Sequence, residues 1–184
     1  MPESFPQPLA GETLTASLLR LMLPQTARKT ADTSRAATTT ATADDHLTFT
    51  VEADAVYVWN GWLKYEAATA GDFVVDFTAP SGALGEWTGH GAGITPVSAN
   101  STPTLQNNTQ DTSGYMLRVE SNDVMQFRTF GGLGAGIALS VLIFGTLRVG
   151  ATAGTFSLDW CQGTSSATAT ILYTDSWITL QRIA

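Results

Sequence analysis

Apolar and polar residues alternate along most of this chain. Leu47, Phe49 and Val51 form one alternating run. Tyr57, Trp59, Gly61, Leu63 and Tyr65 share one face of the next, with Val56, Val58, Trp62 and Lys64 on the other. Phe73, Val75 and Phe77 alternate with Asp72 and Asp76. Further runs cover Tyr115–Val119, Val124–Phe130, Leu139–Val149, Phe156–Trp160, Ala167–Tyr173 and Ser176–Ile183. Successive side chains on a strand point to opposite faces, so a period of two marks a half-buried strand. Turn residues separate the runs: Asp44-Asp45, Pro80-Ser-Gly82, Ser121-Asn-Asp123 and Thr174-Asp175. About eight to ten short strands patterned this way predict an all-β sandwich of the jelly-roll kind. The last strand should lie inside the sheet system.

One stretch occurs twice. Gly61–Phe77 and Gly145–Trp160 align, with one gap, as Gly, Leu, Lys/Arg, Ala, Thr-Ala-Gly, Phe, Asp and an aromatic residue. Leu139, Val141, Ile143, Gly145, Leu147 and Val149 match Ala55, Tyr57, Trp59, Gly61, Leu63 and Tyr65. Asp159 matches Asp76. Each copy reads as two strands joined at a Thr-Ala-Gly turn, so the repeat predicts two related hairpins in corresponding positions of two packed sheets. Gly61 and Gly145 fall inside strands, which predicts a bulge or a close backbone approach.

Three segments break the alternation. In residues 1–24, Pro2, Phe5, Pro6 and Pro8 make an extended start. Thr15 is placed to N-cap a short helix over Ala16–Leu23, which Pro24 stops. Leu14, Leu18, Leu21 and Met22 stand at helical spacing. So short a helix is marginal alone in water, so this apolar face should dock on the β-domain or on another protein. Residues 25–184 then form the β-domain, with an early strand near Thr26–Thr30 and a loop or edge strand over Thr33–Ala43. Residues 82–112, rich in Gly, Pro and Asn, read as a long surface excursion with Trp87 in a short strand at most.

Composition reinforces the β reading: 28 of the 184 residues are Thr, which favours strands, and only two are Lys. The net charge is −7 and the nine basic residues are scattered. That argues against nucleic-acid binding, which needs clustered cations on a phosphate backbone. The most apolar run, Ile137–Phe144, is too short for a membrane-spanning helix and reads as a buried strand. The N-terminus lacks the basic and long apolar regions of a secretory signal.

Candidate chemistry is sparse. The single cysteine, Cys161, reads as a strand thiol and allows no disulfide within the chain. Asp44, Asp45 and His46 are adjacent, so a strand would send them to opposite faces, which weakens a metal reading. Gly131–Gly136 has the look of a phosphate-cradling loop, but strand-like residues follow it rather than a helix, so a wide turn is the better reading. Asn100-Ser-Thr and Asn107-Asn-Thr match the glycosylation pattern, a match frequent by chance. Asp72, Asp76, Glu86 and Asp159 read as solvated strand or turn carboxylates rather than as a glycosidase pair. No local motif suggests a catalytic triad. No catalytic residue, cofactor or metal site is assigned, and the chain is not expected to be an enzyme.

Gly145–Trp160, with Gln162, Thr164-Ser-Ser-Ala-Thr-Ala and Ser176-Trp-Ile-Thr-Leu-Gln-Arg-Ile183, resembles the C-terminal pattern of capsid-surface and minor tail proteins of phages infecting actinobacteria. Ala27–Asp32, Asp44–Leu47, the first repeat copy, Ala79-Pro-Ser-Gly82 and Trp87 are similar to earlier parts of those proteins. The stretch from Phe5-Pro to Leu14-Thr-Ala-Ser-Leu18 is similar to their attachment segment. Residues 94–112 fall outside the resemblance, and Gly150-Ala and Cys161 depart from it.

The resemblance implies a virion protein, made in the host cytoplasm, with a jelly roll similar to C1q and tumour necrosis factor domains. Such domains commonly assemble as homotrimers. On this reading Phe5, Leu14, Leu18 and Leu21 form an assembly arm against a phage capsid or tail protein, and Trp62 and Phe144 are trimer contacts. The leading expectation is a capsid decoration or head-fibre protein. The alternative is a minor tail protein that binds a receptor or host cell-surface glycan, with Trp87 and His90 as recognition residues. Neither reading involves membrane insertion.

Overall fold

The structure, a computed structural model, describes residue 6 and residues 8–93, 117–118 and 121–184. Phe5 and the 94–112 part of the expected excursion, with both Asn-x-Thr/Ser matches, lie outside the described residues.

A six-residue helix, α1 (Ala16–Leu21), precedes thirteen strands among the described residues. They are β1 (Gln25–Arg28), β2 (Thr33–Arg35), β3 (Thr42–Val51), β4 (Val56–Glu66), β5 (Phe73–Thr78), β6 (Leu84–Ala92), β7 (Leu117–Arg118), β8 (Ser121–Asp123), β9 (Arg128–Phe130), β10 (Ala138–Arg148), β11 (Gly154–Cys161), β12 (Thr170–Leu172) and β13 (Trp177–Arg182). The count exceeds the expected one because β2, β7, β8, β9 and β12 are short pieces of two or three residues.

Two antiparallel sheets form a sandwich of the jelly-roll class. The wide sheet runs β1-β13-β4-β10-β6, with β7 and β8 on β6, β12 on β4 and β2 on β12. The narrow sheet runs β3-β11-β5-β9. As expected, β13 lies inside the wide sheet, between β1 and β4. The inward rows predicted by alternation are buried: Tyr57, Trp59, Leu63 and Tyr65 from β4, Val141, Ile143 and Leu147 from β10, and Phe156, Leu158 and Trp160 from β11. Rings pack across the gap, with Trp59 tilted on Phe77 at 4.8 Å and Tyr65 stacked on Phe73 at 4.5 Å.

The doubled stretch is not a pair of hairpins. In each copy the first strand belongs to the wide sheet and the second to the narrow one, so the chain arches across the core. Pairing occurs between the copies, β4 with β10 and β5 with β11. Gly61 lies opposite Ile143 and Gly145 opposite Trp59. Since Gly145 is the counterpart of Gly61, and Ile143 of Trp59, the two pairs are equivalent. A local two-fold relation follows, passing through Asn60 opposite Phe144 in one sheet and Asp76 opposite Asp159 in the other. The strand glycines mark close approach rather than a bulge, because the register runs unbroken through both. A Cβ on Gly145 would stand 2.3 Å from the Trp59 ring, and one on Gly61 2.6 Å from the Trp177 carbonyl oxygen.

Residues 84–92 correct the expected irregular excursion, since they form a nine-residue strand. Its inward positions are Gly85, Trp87, Gly89 and Gly91. A Cβ on Gly89 or Gly91 would lie within 2.7 Å of the Phe130 ring. The glycines make room for that ring, so an inward row carries little apolar signal in the sequence.

Asp44-Asp45-His46 also differs from expectation, lying within β3 rather than in a turn. Between Ser157 and Asp159 the register on β3 jumps from Thr48 to Ala43. This bulge re-aims the strand, so that Asp44 and Leu47 both point inward. Asp44 Oδ2 accepts from Lys29 Nζ at 2.6 Å and from Trp160 Nε1 at 3.2 Å, and Oδ1 accepts from the His46 N–H at 3.0 Å. Lys29 also donates to Thr33 Oγ1 at 2.8 Å. Both charged side chains are fully buried. The Arg35 guanidinium covers the outer side of this network, 4.1 Å from the Trp160 ring centroid.

Candidate functional site

The expected arm helix is present and Thr15 caps it, its Oγ1 accepting from the Leu18 N–H at 3.2 Å. The helix ends at Leu21, with Met22 as its C-cap. It does not dock on the β-domain, and no residue from 8 to 24 is buried. Leu9, Leu14, Leu19, Leu21, Met22 and Leu23 are exposed, and Leu18 is half-buried. Fully burying one such side chain is worth about 1.5–3 kcal/mol, so the arm carries several unused apolar contacts. Leu9, Leu19 and Leu23 were not singled out by the helical spacing, which picks one stripe only.

Trp62 and Phe144 fall on the same surface, the outer face of the wide sheet. Trp177, Trp62, Leu142 and His90 form one cross-strand row over β13, β4, β10 and β6. Thr179, Asn60, Phe144 and Thr88 form the next. The His90 and Phe144 rings meet edge to face at 5.8 Å. Leu142, Phe144 and Val58 are exposed, while Trp62 and Trp177 are half-buried. Leu142 and Trp177 are new members of this face, which alternation had already given Val58 beside Trp62, and the outward parity of residues 142 and 144 was the available signal. Phe144 and Leu142 also qualify the reading of Ile137–Phe144 as a buried strand, because alternate residues face out.

Trp87 departs from its expected surface role. Its side chain is 2% exposed, packs edge-on against Phe77 at 5.2 Å and donates Nε1–H to the Gln126 carbonyl at 3.0 Å. A ring buried on both faces cannot stack on a ligand. His90 is exposed, but it belongs with Phe144 rather than with Trp87.

The narrow sheet presents a different outer surface. A cleft of about 480 Å³ opens there over β5, β9 and the end of β11. Asp72 and Asp76 line it, together with Thr39, Thr129, Thr164, Phe127, Cys161 and Gln162. Asp72 Oδ1 accepts from the Gly132 N–H at 3.2 Å, and Asp76 Oδ1 from the Phe77 N–H at 2.8 Å. Burial raises both carboxyls above the ordinary aspartate range, and the facing Asp159 raises Asp76 further. Neither joins an ion pair among the described residues. Asp159 is held by the hydroxyls of Thr78 and Ser157, each at 2.8 Å. These carboxylates therefore differ from the solvated residues expected. Cys161 is the buried strand thiol expected, and its Sγ donates to the Thr39 carbonyl at 3.2 Å.

Gly131–Gly136 is a turn leading into β10. The N–H groups of Gly131, Gly132 and Gly134 donate to Ala92 O, Asp72 Oδ1 and Ala67 O, which leaves those donors unavailable to a phosphate. Gly134 and Gly136 have positive φ, 112° and 83°, which glycine adopts freely. Among the described residues no three His, Cys, Asp or Glu side chains are grouped to hold a metal, and no helix is long and apolar enough to cross a membrane. In comparisons with known proteins, no family model, no curated protein and no solved structure matches the chain.

Proposed function

We propose that the chain is a structural protein of a tailed-phage particle, a trimeric capsid decoration or head-fibre protein held through its N-terminal arm. The observation that carries this reading is the arm, a capped helix whose large apolar side chains include none that is buried. An isolated six-residue helix has too few internal hydrogen bonds to persist in water. A partner that buries the leucines would supply the missing stabilisation. The sequence resemblance directs that partner to a capsid protein.

The outer face of the wide sheet supports self-association. Phe144 is 40% exposed, and with Leu142 and Val58 it makes a contiguous apolar surface beside Trp62 and Trp177. Contiguous apolar surfaces on soluble proteins often mark interaction sites. Three copies meeting through this face would bury it without using the arm, which stays available to the particle.

Antibody labelling of purified particles tests the location. Regularly spaced labels on the head are expected, and absence of the protein from particles overturns the reading. Light scattering at micromolar concentration tests the oligomer: a trimer is expected with or without residues 1–24, and a monodisperse monomer in both forms removes the trimer.

A further inference from the structure

The cleft on the narrow sheet has no part in the assembly reading, and its chemistry is distinct. We infer that it binds a cationic sugar, a hexosamine with a free ammonium group. Two half-buried carboxylates, Asp72 and Asp76, face the cleft and have only backbone N–H groups as hydrogen-bond partners on their Oδ1 atoms. A carboxylate withdrawn from water without a cation is costly, and an incoming ammonium offsets that cost through charge-assisted hydrogen bonds. The raised proton affinity of both groups has the same origin: burial without a compensating charge. Asp159, directly opposite Asp76, adds negative potential without entering the cleft.

The rest of the lining selects a sugar over a simple amine. Phe127, 63% exposed, stands in the wall as a flat apolar surface for the C–H face of a pyranose ring. The threonines at 39, 129 and 164 bring hydroxyl groups to the same wall. A cavity of about 480 Å³ lies within the usual range of small-ligand sites. The site replaces Trp87 as the place for sugar recognition and is independent of the virion assignment.

Titration calorimetry with glucosamine, glucose and n-butylammonium on the full chain tests this. Glucosamine should bind about tenfold more tightly than either of the others, one charge-assisted contact being worth roughly that factor. Asp72→Asn and Asp76→Asn keep the side-chain oxygen that accepts the backbone N–H, and asparagine tolerates the left-handed backbone at position 72 (φ 46°). The two substitutions together should reduce glucosamine binding toward the glucose level, and the one at the carboxylate that meets the ammonium should account for most of the loss. Phe127→Ala should weaken both sugars alike and leave n-butylammonium unchanged. Equal binding of glucosamine and glucose, unchanged binding in the Asp72→Asn/Asp76→Asn double variant, or n-butylammonium matching glucosamine overturns the inference. So does an absence of glucosamine binding up to about 100 mM.

Discussion

The two outer faces of this sandwich have opposite characters. That of the wide sheet carries Val58, Trp62, Leu142, Phe144 and Trp177. That of the narrow sheet carries Thr48, Thr50, Thr78, Thr155, Asp76 and Asp159. At the centre of both sheets lie the two copies of the doubled stretch with their aligned flanks, and the inward residues of the two copies are interchangeable in kind. Where the local two-fold relation meets the wide sheet, however, Asn60 stands opposite Phe144. Inward positions are fixed by the demands of one shared core, whereas outward ones are free to specialise. One face is suited to burial against protein, the other to a polar ligand.

Substitutions can break that division of labour, and the largest effect should come from the interior. Asp44→Ala leaves the Lys29 ammonium buried without its carboxylate partner, and should cost about 3–5 kcal/mol in denaturant unfolding. The wild-type contribution also has a pH signature. Burial alone would raise the Asp44 carboxyl, but hydrogen bonds from Lys29 and the His46 backbone, with the Lys29 charge, bring it below the ordinary value. Its stabilisation is therefore complete above the unfolded aspartate value, near 3.8, and is lost as pH falls through the lower folded value. The variant should lack that acid-side loss.

Gly145→Ala comes next. Its Cβ would overlap the Trp59 ring, and overpacking of this kind costs about 1–3 kcal/mol. Thermal unfolding should show the loss, with no change in oligomer size at temperatures where the variant is folded. Phe144→Ser tests the opposite side of the division. It should shift light scattering from trimer toward monomer while changing monomer stability by less than about 0.5 kcal/mol. A variant that remains trimeric removes Phe144 from the proposed contact.

Asp76→Asn should have the smallest effect on stability, with the sign reversed. A carboxyl raised in the folded state gives stability at low pH that is lost as pH rises from the unfolded value through the folded one. The asparagine variant should be slightly more stable than wild type at neutral pH, in contrast to Asp44→Ala. A loss at neutral pH would show that the cleft carboxylates support the fold rather than a ligand.

The sandwich was legible because nearly every long strand has one wet face, so alternation records the core directly. The hairpin reading of the repeat failed for a local reason. A turn after a strand has the same residues whether the chain returns to its own sheet or arches to the facing one, and partner choice is not a local property. β6 was missed because Gly85, Gly89 and Gly91 hold inward positions, and at the last two the bulk is supplied by Phe130 from elsewhere in the chain. The Lys29–Asp44 pair was invisible because a bulge changes the parity of β3 between residues 44 and 47. Of the site residues, Trp62 and Phe144 share one face, as a contact surface requires, while Trp87 lies in the core. The cleft joins segments remote in sequence, such as Asp72, Phe127 and Thr164, so no motif marks it.

The arched repeat has a consequence for how the chain reaches its native state. The central pairs of both sheets, such as Leu63 with Val141 and Phe77 with Leu158, join residues far apart in sequence. Closing such long loops makes folding slow, because their entropy is lost before the contacts form. During synthesis β4 and β5 emerge well before β10 and β11, and their open edges must wait. Because the copies are alike, the first copy of one nascent chain offers a suitable mate to that of its neighbour. On a polysome, the rate at which residues 138–161 arrive therefore competes with pairing between chains, and slowing translation over that stretch should favour interlocked aggregates over the soluble protein.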